Sequence, residues 1–277
     1  MNFSKDLNST YIMSHYFHDK DKFNEIQGSI SKKKFHQIVK KNLYKNYIYT
    51  FDDSLKSQYY IAKRILDKYS LKGIFFLNTF QFEKIYNFNE ISKFYVKKFY
   101  KNKNFFYRDF LKKIKKKIKF NSKDIKEIKA GHPFYDIDEI KIRIVRLKNI
   151  NLYNKILKVM FLSKKFNYKA YQKKIYMNKK EIYELSKKHI IGLHTHSHPF
   201  NFHKLNEKEQ YYEVKKNKTI LEKIIKDKVK VISYPIGNFN NKTIKVLKKL
   251  KITHGFIANI SNKKSHYKIS RLNINKL

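Results

Sequence analysis

The sequence predicts an α/β fold: a closed or nearly closed barrel of parallel strands, helices outside, and a site at the strands' C-terminal ends. Short apolar runs alternate with segments of helical period in the first and last thirds of the chain. Each run stops on polar residues, as at Asp52-Asp53, His194-Thr195-His196 and Gly237-Asn238. With 42% hydrophobic and 16% aromatic residues among 277, the chain can bury a large core, which excludes a disordered protein.

Taken in order, Tyr11-Ile12-Met13 opens a first strand that runs into a loop carrying His15 and His18. Ser31 is placed to cap a helix that buries Phe35, Ile38 and Val39. Tyr47 to Phe51 is a strand ending on two carboxylates, and the next segment carries Leu55, Tyr59, Ala62, Leu66 and Tyr69 at helical spacing. Gly73 permits a left-handed turn past that helix, and Ile74 to Leu77 is a buried strand. Strand, helix, strand at this length implies parallel pairing with a right-handed crossover. From about residue 82 to 176 the pattern changes to Lys-rich segments of helical period, such as Ile91 to Ile118 and Ile137 to Leu162. This predicts a helical insertion, about 82–176, within a single domain spanning 1–277. Asn178 and Glu181 have the spacing of a capping box for a helix through Ser186, which leads into the strand Ile190 to Leu193. Asn206 and Glu209 open a helix to about Ile225, Val229 to Tyr234 is a strand, and Asn240 caps a helix through Leu250. Ile252 to Ala258 and Lys268 to Leu272 finish as strands.

The net charge of +42 predicts some affinity for polyanions and allows peripheral contact with anionic surfaces. Its lysines are spread along the chain and do not form one block, so no specific nucleic acid partner is expected. Without cysteine, a metal site must use His, Asp, Glu or backbone. Met1 to Lys20 contains no continuous apolar stretch of signal-peptide type, and no apolar run approaches a bilayer span, so a cytoplasmic address and no transmembrane segment are expected.

Asp52 and Asp53 repel each other, and their burial without a cation is costly. Either a metal ion serves the pair or it is an Asp-rich turn that caps the following helix. His194 and His198 stand four apart, and Pro199 disfavours a helix at His198, which places both in a loop at a strand end. Two imidazoles, one carboxylate and open positions describe a catalytic divalent site.

At these residues the sequence resembles the polysaccharide deacetylase family, whose catalytic unit is the NodB homology domain of carbohydrate esterase family 4. Thr50-Phe51-Asp52-Asp53 is similar to its first motif, and His194-Thr195-His196-Ser197-His198-Pro199 to its second, His-Ser/Thr-x-x-His. Ser233-Tyr234-Pro235-Ile236-Gly237 resembles the Tyr-Pro-x-Gly form of the third. Ile12 to His15 resembles an opening strand, and Ser270-Arg271-Leu272 a late Arg-containing one. The resemblance implies a deformed (β/α) barrel of NodB type with a divalent metal, Zn²⁺ first and Co²⁺ or Mn²⁺ next, held by Asp53, His194 and His198. It implies an N-acetylated carbohydrate substrate, Asp52 as general base on the water the metal activates, and an oxyanion held by the metal and a backbone N–H near Tyr234 and Pro235.

The chain departs from the family pattern in places. Ser54 stands where glycine is usual, and Ser233 where many members carry an arginine that steadies the base. Arg271 is the residue expected to supply that charge from another strand. The late Leu-x-x-His of many members has no clear match, so His15 is assigned as general acid ahead of His254 and His266, and His196 is read as a bystander or a group behind the ligands, not as a ligand. Two other readings stay open: an amidohydrolase acting on a non-sugar amide, and a basic polyanion- or glycan-binding protein on an inactive deacetylase scaffold.

Overall fold

In chain order the strands are β1 (Thr10–Ser14), β2 (Phe17–His18), β3 (Ile30–Ser31), β4 (Tyr47–Asp52), β5 (Ile74–Leu77), β6 (Ile190–Leu193), β7 (Val231–Ser233), β8 (His254–Phe256) and β9 (Arg271–Asn273). The computed structural model describes residues 9–20, 22–23, 25–26, 28–114, 118–131, 135–261 and 265–277. Seven strands form one sheet in the order β8-β7-β6-β5-β4-β1-β9, every neighbouring pair parallel, while β2 and β3 make a small parallel pair. The sheet curls into the deformed (β/α) barrel of NodB type. Its last segment reaches both edges: Ile269 bridges Phe256 of β8, and two residues later β9 pairs with β1.

Successive strand residues point to opposite faces, and the two faces have separate cores. Ile12, Tyr49, Phe51, Phe75, Leu77, Ile191, Leu193 and Ile232 point outward into a core shared with the helices. Tyr11, Ile48, Ile74, Phe76, Val231, Phe256 and Ile269 fill the inside of the curl. Gly192 is required there, because a Cβ at that position would lie 2.4 Å from the Phe76 ring.

The outer helices of this unit are α1 (Lys32–Lys41), α2 (Arg64–Lys68), α9 (Lys179–Ser186), α10 (Glu207–Ile225) and α11 (Asn241–Lys249). Ser31 caps α1 by accepting the Lys34 amide at 3.1 Å, and Asn178 and Asn206 close capping boxes with Glu181 and Glu209. Before α2 the chain winds more widely, as a π-helix over Gln58–Lys63. The turn after α2 is left-handed at Ser70 (φ 53°) and not at Gly73. Gly73 is needed for space instead, since a Cβ would stand 2.8 Å from Leu66 and 3.2 Å from the Tyr49 carbonyl.

Two compact units account for the chain: Met1–Ile85 with Lys173–Leu277, and Tyr86–Gln172. The second contains α3 (Phe88–Phe99), α4 (Lys103–Lys112), α5 (Ser122–Gly131), α6 (Ile137–Lys148), α7 (Ile150–Ser163) and the start of α8 (Tyr168–Ile175). Its core is aromatic, with Tyr95 packed edge-on against Phe161 and Phe166. Both long Lys-rich segments are broken by asparagine. Asn102 caps α4 after Tyr100 ends α3, and Asn149 both closes α6 and caps α7, accepting the Leu152 amide at 2.9 Å.

Candidate active site

The inward face of the strands carries apolar residues at its base and polar residues at its C-terminal rim. Two residues beyond Ile48 and four beyond it lie Thr50 and Asp52; two beyond Val231 lies Ser233; two beyond Ile269 lies Arg271. His194 follows the end of β6 on the same side as Ile190. Strict alternation would turn Asp53 away from Asp52. Left-handed backbone at Asp53 (φ 80°) and Ser54 (φ 58°) breaks the alternation and lets adjacent carboxylates serve one site. For residues other than glycine this conformation costs about 1–2 kcal/mol each. Ser54 gains partial compensation by donating its hydroxyl to the Asn78 carbonyl at 3.0 Å.

Asp52 is buried and fixed from two strands. Arg271, itself 2% exposed, donates Nη1 to Oδ1 at 2.7 Å and Nη2 to Oδ2 at 2.8 Å. The Ser233 hydroxyl donates to Oδ2 at 3.0 Å and accepts from Arg271 Nη2 at 2.8 Å. The guanidinium is held in turn by the Ile257 carbonyl at 3.0 Å and packs over the Phe76 ring. A buried carboxylate without such a partner would be protonated or destabilising, so this bidentate pair is what allows Asp52 to lie inside the barrel. Burial by itself pushes its carboxyl up, but Arg271, with His194 and His15 nearby, holds it well below the usual carboxylate range.

Asp53 Oδ1 lies 3.4 Å from His194 Nε2 and 3.6 Å from His198 Nε2. His194 Nδ1 is 2.8 Å from the Ser233 carbonyl, which can only accept, so Nδ1 carries a proton and Nε2 is the nitrogen that faces Asp53. Burial opposes ionisation of both partners, yet the hydrogen bond from His194 and the charges of His198 and His15 lower the Asp53 carboxyl, and Asp52 and Asp53 raise His194. The loop bends through left-handed Thr195 (φ 61°) and His198 (φ 53°), which brings both imidazoles to one carboxylate.

One ligand atom each from Asp53, His194 and His198 lie within 4.8 Å of one another. Donors about 2.1 Å from a tetrahedral cation stand about 3.4 Å apart, so the separations at Asp53 suit a zinc-sized ion. Asp52 is engaged by Arg271 and Ser233 and stays outside this donor set.

His15 is partly exposed, with Nε2 3.9 Å from Asp52 Oδ2, and its carbonyl is held by Gln58 at 2.9 Å. Tyr234 and Pro235 require a correction. The Tyr234 amide donates to the Phe256 carbonyl at 3.1 Å as part of the sheet, and Pro235 has no N–H, so neither can donate to an oxyanion. The Tyr234 ring faces the outer core, where its hydroxyl donates to the Tyr267 carbonyl. His254 sits at the opposite, N-terminal end of β8, 3.3 Å from His266, and neither belongs to the rim. His196 points away from the ligands toward Thr79 and Glu83. Ser233, read from the sequence only as a lost arginine, is a direct partner of Asp52, and Gln58 also reaches the Asp52 carbonyl.

A family model for polysaccharide deacetylase matches residues 153–255, a span that includes the His194–His198 loop and the Ser233–Gly237 turn. No curated protein sequence matches the chain. Among solved structures, the fold is similar to a Streptococcus pyogenes deacetylase, PplD, in complex with acetate, at TM-score 0.56 and 16% identity over 96% of this chain and 92% of that one. It is similar to IcaB from Ammonifex degensii, at TM-score 0.53 and 12% identity over 96% and 92%. A de-N-acetylase from Aggregatibacter actinomycetemcomitans matches at TM-score 0.51 and 13% identity over 96% and 94%.

Proposed function

On the premise that the chain belongs to the polysaccharide deacetylase family of N-deacetylases, we propose that it hydrolyses the N-acetyl group of an amino sugar in a glycan or glycan precursor with a divalent cation at Asp53, His194 and His198. One observation carries this reading: three ligand atoms converge beside a second carboxylate that the protein ionises but does not offer as a ligand. Zinc is the first choice, and cobalt or manganese suit the same donors.

A cation there would polarise the acetamide carbonyl and make water acidic enough to attack at neutral pH. Asp52, kept charged by Arg271, takes the proton of the attacking water. His194 is fixed as a ligand by the Ser233 carbonyl, which sets its tautomer. His15, on the open side of Asp52, gives a proton to the leaving nitrogen. The new C–O bond replaces the C–N bond, and the products are acetate and a free amine.

The experiment is acetate release from N-acetylglucosamine oligomers. Wild type with zinc should turn over, a chelator should stop it, and Asp52→Asn should lower kcat by about 10²- to 10⁴-fold with cation binding intact. Chelator-insensitive acetate release, or full activity in Asp52→Asn, would rule the mechanism out. Polyanion binding with no hydrolysis under any cation would favour the inactive-scaffold reading instead.

A further inference from the structure

The turn that carries two of the candidate ligands is gripped from the outer side of the sheet by one helix. Glu213 and Asn217 are one turn apart on α10 and share a face. Asn217 is fully buried; its Oδ1 accepts the His194 amide at 3.0 Å, and its Nδ2 donates to the Leu77 carbonyl at 3.0 Å and to Thr79 Oγ1 at 3.2 Å. Glu213 holds the next residues of the turn. Its carbonyl accepts the His196 amide at 3.1 Å, and its carboxylate accepts the Ser197 amide at 2.8 Å and hydroxyl at 2.7 Å. The His196 ring adds an anchor to Thr79 at 2.8 Å and lies 3.3 Å from Glu83, whose carboxylate Lys216 of the same helix contacts at 2.8 Å.

The contacts from Glu213 and Asn217 fall on the amides of His194, His196 and Ser197 and on the Ser197 hydroxyl, and none of them uses an imidazole nitrogen of His194 or His198. That is where they are needed, because Thr195 and His198 adopt left-handed backbone that neither residue type favours alone. Glu213 is a carboxylate 9% exposed whose two oxygens both serve Ser197, which ties its negative charge to the ligand turn. We propose that Glu213 and Asn217 are positioning residues that preset the His194–His198 turn, so that α10 sets the affinity of the site for a divalent cation. This rests on the reading of Asp53, His194 and His198 as ligands.

The test is titration of the metal-free full chain with Co²⁺, reading affinity and the visible absorption of the bound ion, beside thermal unfolding of the metal-free form. Glu213→Gln and Asn217→Asp should weaken Co²⁺ by about 10- to 100-fold and alter the absorption band, the range typical of groups that orient ligands. Glu222→Gln is the control, since its carboxylate contacts Lys218 and the Val229 amide far along the helix from the turn. It should change stability while leaving affinity alone. If a clamp variant does not fold, Ser197→Ala removes one clamp bond from the turn side and is read in the same way. Affinities within about twofold of wild type and an unchanged band, whatever the stability, would overturn the proposal. Wild type that binds no Co²⁺ would instead strike the functional reading, and this inference with it.

Discussion

His189 precedes β6 and His194 follows it, and each imidazole faces an aspartate. At the first end, His189 accepts the Gly73 amide at Nδ1, 3.2 Å away, so its proton sits on Nε2, 3.2 Å from Asp67. Burial pushes that imidazole down to about 4, which keeps it neutral, with Nδ1 spent on the backbone and Nε2 enclosed beside Asp67. At the other end, Nδ1 of His194 is spent on a carbonyl, and Nε2 faces Asp53, with His198 alongside. The same pair of residue types thus makes a staple at one end of a strand and a candidate metal site at the other. The backbone engages Nδ1 in both; what separates them is that Nδ1 accepts from an amide at His189, which puts the proton on Nε2, and donates to a carbonyl at His194, which leaves Nε2 as the nitrogen that can ligate.

Substitution should break this contrast most sharply. His194→Ala should abolish cation-dependent acetate release, a loss of at least about 10³-fold, whereas His189→Asn should keep turnover per folded molecule near wild type in the same assay. Next in size is Arg271→Met, which leaves Asp52 buried without its partner. Thermal or urea unfolding should show a loss of about 3–5 kcal/mol, partly recovered in the double variant with Asp52→Asn. The His189 staple predicts a pH dependence of stability. Its folded-state value of about 4 lies below the ordinary 6.5, so its contribution is complete above pH 6.5 and is lost as pH falls from there toward 4. Urea midpoints across that window should show a decline of about 3 kcal/mol from this group, absent in His189→Asn. The smallest effect concerns left-handed residues outside the site. Lys226 (φ 59°) ends α10 on an exposed position, and Lys226→Gly should raise stability by about 1 kcal/mol without touching activity.

Strand ends, capping boxes and the parallel order were legible because each is written in local pattern: apolar runs, an Asn three residues before a Glu, a carboxylate pair at a strand end. The inward direction of Asp52, Ser233 and Arg271 follows from period two once the register is known, and register comes from pairing across the chain. Arg271 lies 219 residues from Asp52, a separation that sequence order can suggest and only folding can close. The breaks at Asn102 and Asn149 were hidden inside Lys-rich segments of unbroken helical period, where an asparagine reads as one more polar residue until its side chain turns back on the backbone. Glu213 and Asn217 were illegible for the same reason, since on a charged amphipathic helix nothing local distinguishes a buried clamp from a solvated face. The Tyr234 amide misled because a motif fixes residue types but does not say which amide the sheet has already used.

The most direct measurement of the central claim is the stoichiometry of zinc bound by the metal-free chain, determined by calorimetric titration beside Asp53→Ala and His189→Asn. The account predicts one ion per chain in wild type and in His189→Asn, and none held at the site in Asp53→Ala. No saturable binding by wild type, or equal binding by Asp53→Ala, would contradict it.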